Sequence, residues 1–98
     1  MKLKLKKLEK KLKINFKNKS IIIKSITHKS ANQIINNEKL EFLGDRVIGL
    51  ILSEKIYELY PNENEGSLDK RFANLVNRKT CALIALSMGI KDFIIFGN

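Results

Sequence analysis

The sequence predicts a single all-α domain, and three observations support this. The 98 residues, of which 44% are apolar and 30% charged, have the length and composition of one soluble, folded domain with one hydrophobic core. Apolar residues recur at helical spacing in several segments. Residues that cap or stop helices separate these segments from one another.

Two short helices are predicted at the start. The first covers Lys2 to Lys13, where lysines surround one apolar stripe made of Leu5, Leu8 and Leu12. The second covers roughly Lys19 to Thr27 and carries Ile22, Ile23 and Ile26. Residues 27–37 then lose the periodicity and form a polar loop, whose last residues, Asn36 and Asn37, can cap the next helix.

A long third helix is predicted from Glu38 to about Leu59. It ends before Pro61, because the residue that precedes a proline disfavours helical backbone angles. Apolar side chains surround nearly the whole circumference of its first half, so we expect that half to be buried. These side chains belong to Leu40, Phe42, Leu43, Val47, Ile48, Leu50, Ile51 and Leu52.

Two more helices are predicted after a turn at residues 61–66. Ser67 is expected to cap the fourth helix, and Asn77 to cap a fifth from Arg78 to Met88 that Gly89 ends in the left-handed conformation. Residues 90–96 are apolar and are ambiguous between a strand and a further helical turn. Because this apolar run nearly reaches the terminus, we expect the chain to be the front part of a longer protein or to use a partner's surface.

The composition excludes several classes of protein. No apolar run approaches the ~20 residues that span a bilayer. Residues 1–12 alternate lysine with leucine and lack the apolar region and cleavage site of a secretory signal. The single cysteine, Cys81, excludes an internal disulfide and a cysteine-based metal cluster, which fits a reducing cytosol. We therefore expect a cytoplasmic protein with no membrane partner.

Positive charge is concentrated at the start of the chain. The net charge is +9, and residues 1–30 contain eleven lysines and one glutamate, whereas the remainder is nearly neutral. Such a cationic segment attracts polyanions, with nucleic acid as the first candidate and an anionic membrane as the second. The simpler alternative is that the lysines only solubilise a helix.

Three carboxylates share one stripe of the long helix. Glu38, Glu41 and Asp45 are spaced i, i+3, i+7, and like charges at this spacing destabilise a helix by ~0.2–0.5 kcal/mol per pair. Gly44 and Gly49 each cost a further ~1 kcal/mol relative to alanine. A bound hard cation such as Mg²⁺ or Mn²⁺ would offset the repulsion, and glycines allow close approach of a backbone or ligand. The alternative is a solvated acidic face with two incidental glycines.

The motifs in this region resemble those of a known family. Residues 38–45 read EKLEFLGD, which resembles the signature of the ribonuclease III family of double-stranded-RNA endonucleases. Further resemblances lie at residues 27–30 (THKS), 60–61 (YP), 65–68 (EGSL) and 75–78 (LVNR). Matches run from about residue 5 to residue 97 in the family's order and spacing. Arg46 departs from the small residue that is usual after the signature aspartate.

The resemblance implies the N-terminal part of an all-α ribonuclease III endonuclease domain over residues 1–98. By this resemblance Glu41 binds Mg²⁺ or Mn²⁺, and Asp45 is the main catalytic carboxylate beside it and shares the metal. Glu38 and Glu65 match accessory acidic positions. Gly44 and Gly49 would lie in the interface of a homodimer that forms through the signature helix. The implied substrate is double-stranded RNA, in the processing of ribosomal and messenger RNA.

Two parts of the family do not occur in these 98 residues: a second acidic motif, Asp-x-x-Glu, and a C-terminal double-stranded-RNA-binding domain. The resemblance therefore implies that the chain alone is inactive or nearly so. One alternative is a non-catalytic, dimerising, RNA-binding remnant of the same fold. Another is a small basic RNA- or membrane-associated protein with accidental similarity, which the retention of all four acidic residues disfavours.

Other side chains receive less specific predictions. His28 is expected to form local hydrogen bonds, and Cys81 to be packed within a buried helix. Arg71, Arg78 and Lys79 could contact phosphates or could be solvated surface residues. The leucines of the first helix are expected to anchor the lysine-rich segment to the core.

Overall fold

The computed structural model describes residues 2–98, with side chains from Leu3 onward, and is helical throughout apart from loops and one isolated bridge. The helices are α1 (Lys2–Leu12), α2 (Lys19–Ser25), α3 (Glu38–Leu59), α4 (Glu65–Leu75), α5 (Arg78–Ser87) and a 3₁₀ helix (Ile90–Phe93). The all-α prediction is therefore confirmed. The bounds of α3 are those that the sequence predicts, and the ends of α1, α2 and α5 differ by one or two residues.

The start of α4 differs from the prediction, because Asn64 and not Ser67 caps the helix. The Asn64 side chain accepts a hydrogen bond of 2.9 Å from the backbone N–H of Ser67. Asparagine ranks with serine among the preferred capping residues, and it comes earlier in the chain. Glu65 therefore lies in the first helical turn, where a carboxylate interacts favourably with the helix dipole.

Helix α1 is anchored as expected, by leucines on one face. Leu5 and Leu8 are the most buried of its residues, at 6% and 2% exposure. Its single carboxylate, Glu9, is also buried and binds the segment that follows α1. Glu9 accepts a 2.7 Å hydrogen bond from the Phe16 N–H and forms an ion pair with Lys19. No sequence pattern predicts this role for Glu9.

A polar cluster joins α3 to α4. The Arg71 guanidinium donates two hydrogen bonds of 2.6 Å to the Glu63 carboxylate and lies 3.5 Å from the centroid of the Tyr60 ring. The hydrogen bonds from Arg71 lower the pKa of Glu63, and Glu63 in turn raises the pKa of Arg71. Arg71 therefore has a role within the fold, where its side chain connects the loop to α4, and contact with phosphates stays a prediction.

The end of the described chain returns to the loop before α3. Gly89 has the left-handed conformation (φ 71°), as expected, and the 3₁₀ helix follows it. Ile95 then forms a parallel bridge with Thr27, with the Ile95 N–H bonded to the Ile26 carbonyl and the His28 N–H to the Ile95 carbonyl. The ambiguous segment is thus a helical turn followed by a short extended stretch.

The first half of α3 is not buried, contrary to the prediction. Phe42, Leu43, Leu50 and Ile51 each expose 58–70% of their surface, and the only buried residue of this helix is Ile56. The described residues measure 48 × 28 × 22 Å, and none of their large side chains is fully enclosed. Helix α3 packs mainly on α4, and its exposed apolar residues face outward.

None of the helices in residues 2–98 combines the length and the apolar character that crossing a bilayer requires.

We predict that replacing Glu9 with Gln destabilises the fold at neutral pH. The hydrogen bond from Lys19, and then that from Phe16, lowers the pKa of Glu9 below its ordinary value of 4.5. The ionised carboxylate therefore stabilises the folded state above pH 4.5, and this contribution is lost as the pH falls through the lowered pKa. Thermal unfolding followed by circular dichroism should show a lower Tm for Glu9→Gln and a smaller loss of Tm on acidification.

Glu54→Gln is the matched control, because Glu54 is an exposed residue of α3. Its Tm should change little at either pH. Equal effects of the two substitutions would contradict the assigned role of Glu9.

Candidate active site

The acidic stripe occupies the first two turns of α3. Because α3 runs without interruption from Glu38, its 3.6-residue period places Glu38, Glu41 and Asp45 on one face, with the last two about one turn apart. All three are exposed. The start of the helix is held by the Asn37 N–H, which donates to the Thr27 carbonyl at 3.0 Å.

The three carboxylates have different neighbours. Glu38 lies 3.9 Å from Lys29, and both side chains are about 60% exposed, so the ion pair contributes little to stability. Within residues 2–98, Glu41 and Asp45 form no ion pair. No set of three or more potential metal ligands converges in the part of the chain that is described. The stripe thus offers two adjacent oxygen donors rather than an enclosed site.

Two adjacent carboxylates fit one kind of ion in particular. Mg²⁺ keeps several of its waters and is usually held by one or two carboxylates together with substrate phosphates. The exposed pair Glu41 and Asp45 leaves room for such waters and phosphates. A buried, fully coordinating cage, as Ca²⁺ or Zn²⁺ sites often provide, is not formed by the described residues.

Asp45 lies at the edge of a groove of about 440 Å³ between α3, α4 and α5. Helix α4 packs on α3 at Gly49, one turn after Asp45, where a Cβ would make an ordinary contact of 3.5 Å with the Phe72 ring. Gly44 faces open space, with no atom within 4 Å of its Cβ direction. The other residues of the groove are Arg46, Val76, Asn77, Arg78 and Cys81.

Arg46 is accommodated on the surface of α3. Its guanidinium carbon lies 3.9 Å from the centroid of the Phe42 ring, and its Nη1 donates to the Phe42 carbonyl at 3.3 Å. Both residues are exposed, so the larger side chain displaces nothing in the described core. The departure from the family's small residue leaves the helix and its carboxylates in place.

Glu65 is not brought back to the acidic stripe. Asp45 lies roughly 22 Å from Tyr60 along α3, at a rise of about 1.5 Å per residue. The Glu63 N–H bonds to the Tyr60 carbonyl at 3.2 Å, which keeps the start of α4 at the far end of α3. Within this chain, Glu65 therefore does not contribute to a site that contains Glu41 and Asp45.

The predictions for His28 and Cys81 have different outcomes. His28 forms local hydrogen bonds as expected, with its Nδ1 2.8 Å from the Ser30 Oγ, and its ring packs against Phe96. Cys81 is exposed, so the prediction of a packed thiol is wrong. The helix that carries it contacts the rest of the chain on one side, and Cys81 lines the groove beside Asp45.

Arg78 and Asn77 are neighbours of Asp45 that sequence reasoning did not place. The sequence predicted Asn77 as the cap of α5 and Arg78 as a possible phosphate contact, but neither prediction, nor the LVNR segment at residues 75–78, shows that α5 begins beside the acidic stripe. Asn77 caps α5 by accepting a 2.8 Å hydrogen bond from the Thr80 N–H. The cap fixes the first turn of α5, and with it Arg78, at the groove.

Comparison with known proteins finds one family. The family model for the Ribonuclease III domain matches residues 38–97. Among curated relatives, Ribonuclease 3 of Pelagibacter ubique (strain HTCC1062) is 58% identical over 92 residues, which are 94% of this chain and 41% of the relative. Ribonuclease 3 of Bartonella quintana (strain Toulouse) is 46% identical over 92% of this chain and 39% of its own length.

Solved structures give the same result. The nuclease domain of ribonuclease III from Campylobacter jejuni superposes with a TM-score of 0.88 at 44% identity, covering 93% of this chain and 64% of that one. That structure is described as showing structural flexibility in a region involved in dimer formation. A second structure of the same domain, at 2.2 Å resolution, gives a TM-score of 0.86 at 43% identity, covering 94% of this chain and 63% of that one.

We predict opposite effects for two substitutions at Gly49. Gly49→Ala should raise the free energy of unfolding by about 0.5–1 kcal/mol, because alanine favours the helix and its Cβ makes an ordinary contact with Phe72. Gly49→Leu should lower it by about 1–3 kcal/mol, because the larger side chain overpacks against the ring. Urea titration of each variant measures both, and a stable Gly49→Leu would contradict the close approach of α4.

Proposed function

Because the chain belongs to the ribonuclease III family, we propose that it is the front part of a Mg²⁺-dependent endoribonuclease domain that cleaves double-stranded RNA. The family match across residues 38–97, with Glu41 and Asp45 together on an exposed helical stripe, carries the proposal. Processing of ribosomal and messenger RNA in the cytoplasm is the proposed role, by analogy with the family that the motifs resemble.

The proposed site assigns separate tasks to the side chains. Glu41 and Asp45 would hold Mg²⁺, or Mn²⁺, through their carboxylate oxygens, with Asp45 as the main catalytic carboxylate. The ion, when bound, neutralises charge on the phosphodiester and lowers the pKa of the attacking water. Glu38 and Glu65 are proposed as accessory acidic residues, and Glu65 would act at a place distant from the Glu41–Asp45 pair of the same chain.

The chain spans about two fifths of the length of the curated relatives that it matches. We propose that residues 1–98 form the N-terminal portion of the endonuclease domain and that cleavage also needs the second acidic motif. The presence of two adjacent carboxylates in the described residues, without a third converging ligand, supports this. The 98-residue chain alone is then inactive or nearly so.

A homodimer is proposed to form through α3. The exposed apolar residues of its first half, which the rest of the described chain leaves uncovered, are suited to a second copy that packs on them. Gly44 faces open space on this helix, whereas Phe72 of the same chain already lies against Gly49. Of the two glycines proposed for the interface, Gly44 is therefore the one free to meet a partner.

A second candidate function is a non-catalytic, dimerising, RNA-binding remnant of the same fold. The lack of three converging ligands in residues 2–98 favours it over an enzyme complete in this chain. The two candidates differ in one respect: only the enzyme should regain cleavage when the remainder of the domain is supplied.

We predict that a chimera restores cleavage. In it, this chain replaces the matched 92 residues of the Pelagibacter ubique protein. With Mg²⁺ it should cut duplex RNA on a denaturing gel, whereas the 98-residue chain should not. Asp45→Asn and Glu41→Gln should each lower the rate by more than about a hundredfold, because even outer partners of metal ligands cost about 10–100-fold.

Duplex binding should survive in Asp45→Asn, and Glu41→Gln should raise the Mg²⁺ concentration needed for half-maximal cleavage. Glu54→Gln, an exposed carboxylate on the same helix, is the control and should retain full activity. Efficient cleavage by the 98-residue chain alone, or an inactive chimera, would contradict the proposal.

We predict that Gly44→Ala separates helix stability from dimer formation. In the monomer it should raise the free energy of unfolding by about 0.5–1 kcal/mol, because nothing lies within 4 Å of the new Cβ. If a second helix packs closely on Gly44, the same methyl should weaken self-association. Sedimentation equilibrium measures the dimer dissociation constant, with Gly49→Ala as the matched control. An unchanged dissociation constant for Gly44→Ala would contradict a place for Gly44 in the interface.

A further inference from the structure

A group of three lysines, on α1 and just after it, remains outside the proposed catalytic site. Lys6 and Lys10 of α1, together with Lys13 just after the helix, are exposed and line a groove of about 890 Å³ between α1 and α2. We call these three residues the lysine stripe. Helical spacing sets Lys6 and Lys10 about one turn apart, which is comparable with the separation of successive phosphates along a nucleic acid strand. Lys13 comes directly after the last residue of α1 and has a left-handed backbone (φ 58°).

The charge of the lysine stripe is only partly offset within the described residues, because Glu9 acts on Lys6 from beyond ion-pair distance. The one glutamate in residues 1–30, Glu9, is buried and already bound by Lys19 and the Phe16 N–H. Within residues 2–98, no carboxylate lies within ion-pair distance of Lys6, Lys10 or Lys13. Lys6 and Lys10 repel each other at i, i+4 spacing, so this pair is a local cost to the isolated helix.

Not every lysine of α1 is available in the same way. The end of the Lys11 side chain lies beside Gly89, in the space that a Cβ there would occupy. This places a positive charge next to the C-terminus of α5, where it interacts favourably with the helix dipole. Lys11 is therefore engaged in the fold, and Lys6 and Lys10 lie on another face of α1.

We propose that the lysine stripe binds the phosphate backbone of duplex RNA, outside the site of cleavage. This rests on the proposed function for the identity of the polyanion. Lysine binds phosphate as a point charge, without the fixed geometry of arginine, and residues 1–30 contain eleven lysines and no arginine. Such contacts position a duplex without reading its sequence.

Two other occupants fit the observations less well. An amphipathic helix that binds a membrane surface must insert its apolar face, and Leu5 and Leu8 of α1 are buried in the protein. An acidic peptide could place apolar side chains on Ile14 and Ile23 in the groove, but carboxylates are best recognised by paired donors of arginine. Both occupants become outcomes of the test.

The test measures how salt weakens binding of the full 98-residue chain to a fluorescent RNA duplex. Neutralising the stripe as Lys6→Gln, Lys10→Gln and Lys13→Gln should reduce the slope of log K against log salt by about 0.9 per lost contact, or about 2 to 3 in all. Between roughly 50 and 200 mM salt, wild-type affinity should then fall about 15- to 40-fold more than that of the variant.

A charge-matched variant isolates position from total charge. Lys55→Gln, Lys70→Gln and Lys91→Gln change three exposed lysines elsewhere and should leave the slope nearly unchanged. Replacing the stripe with three arginines should retain the slope, and circular dichroism should show that each variant is folded. Equal losses in the two glutamine variants, or loss of the slope in the arginine variant, would overturn the proposal.

Competing probes decide the occupant. Stripe-dependent binding to phosphatidylglycerol vesicles or to an amphipathic glutamate-leucine peptide, with no stripe-dependent binding to the duplex, would overturn the proposal. Failure of the proposed function is distinguishable, because it appears as an inactive chimera. Asp45→Asn should abolish cleavage by the chimera while leaving the salt slope unchanged, so the two results are independent.

Discussion

The candidate site depends on one constraint, the unbroken helical period of α3. A single helix over Glu38–Leu59 decides that Glu41 and Asp45 are neighbours, that Gly49 follows Asp45 on the same side, and that Phe42 points elsewhere. No tertiary contact is needed to bring the two carboxylates together. The surrounding helices contribute the walls of the groove, because Phe72 packs on Gly49 and the capped start of α5 lies beside Asp45.

Local features of the fold could be predicted because they depend on neighbours in sequence. The stop before Pro61, the cap at Asn77 and the left-handed Gly89 are each determined by a few consecutive residues. The prediction of Ser67 as the cap of α4 was wrong because Asn64, an equally good capping residue, lies three positions earlier and begins the helix first. Caps and stops locate helix ends but do not say which faces meet.

Burial was predicted less well, because periodicity shows that a face is apolar without showing what covers it. The first half of α3 and Cys81 were expected inside, and both are exposed in the described chain. Glu9 shows the opposite case, because a charged residue that periodicity does not mark as apolar is buried. Its carboxylate is bound by the Phe16 N–H and by Lys19 of α2. The stripe carboxylates were found by spacing alone, whereas Arg78 reached the groove through contacts that spacing does not encode.

The contacts between the last described residues and the loop before α3 have a consequence for synthesis on the ribosome. The Ser30 Oγ accepts a hydrogen bond from the Gly97 N–H, 67 residues away in sequence. Closing a loop of that length costs about 4 kcal/mol of chain entropy. Thr27 pairs with Ile95 and also accepts the hydrogen bond that holds Asn37. Helix α3 can therefore form early in the nascent chain. The loop that precedes Glu38, however, gains its contacts with residues 95–97 only after residue 97 has left the exit tunnel.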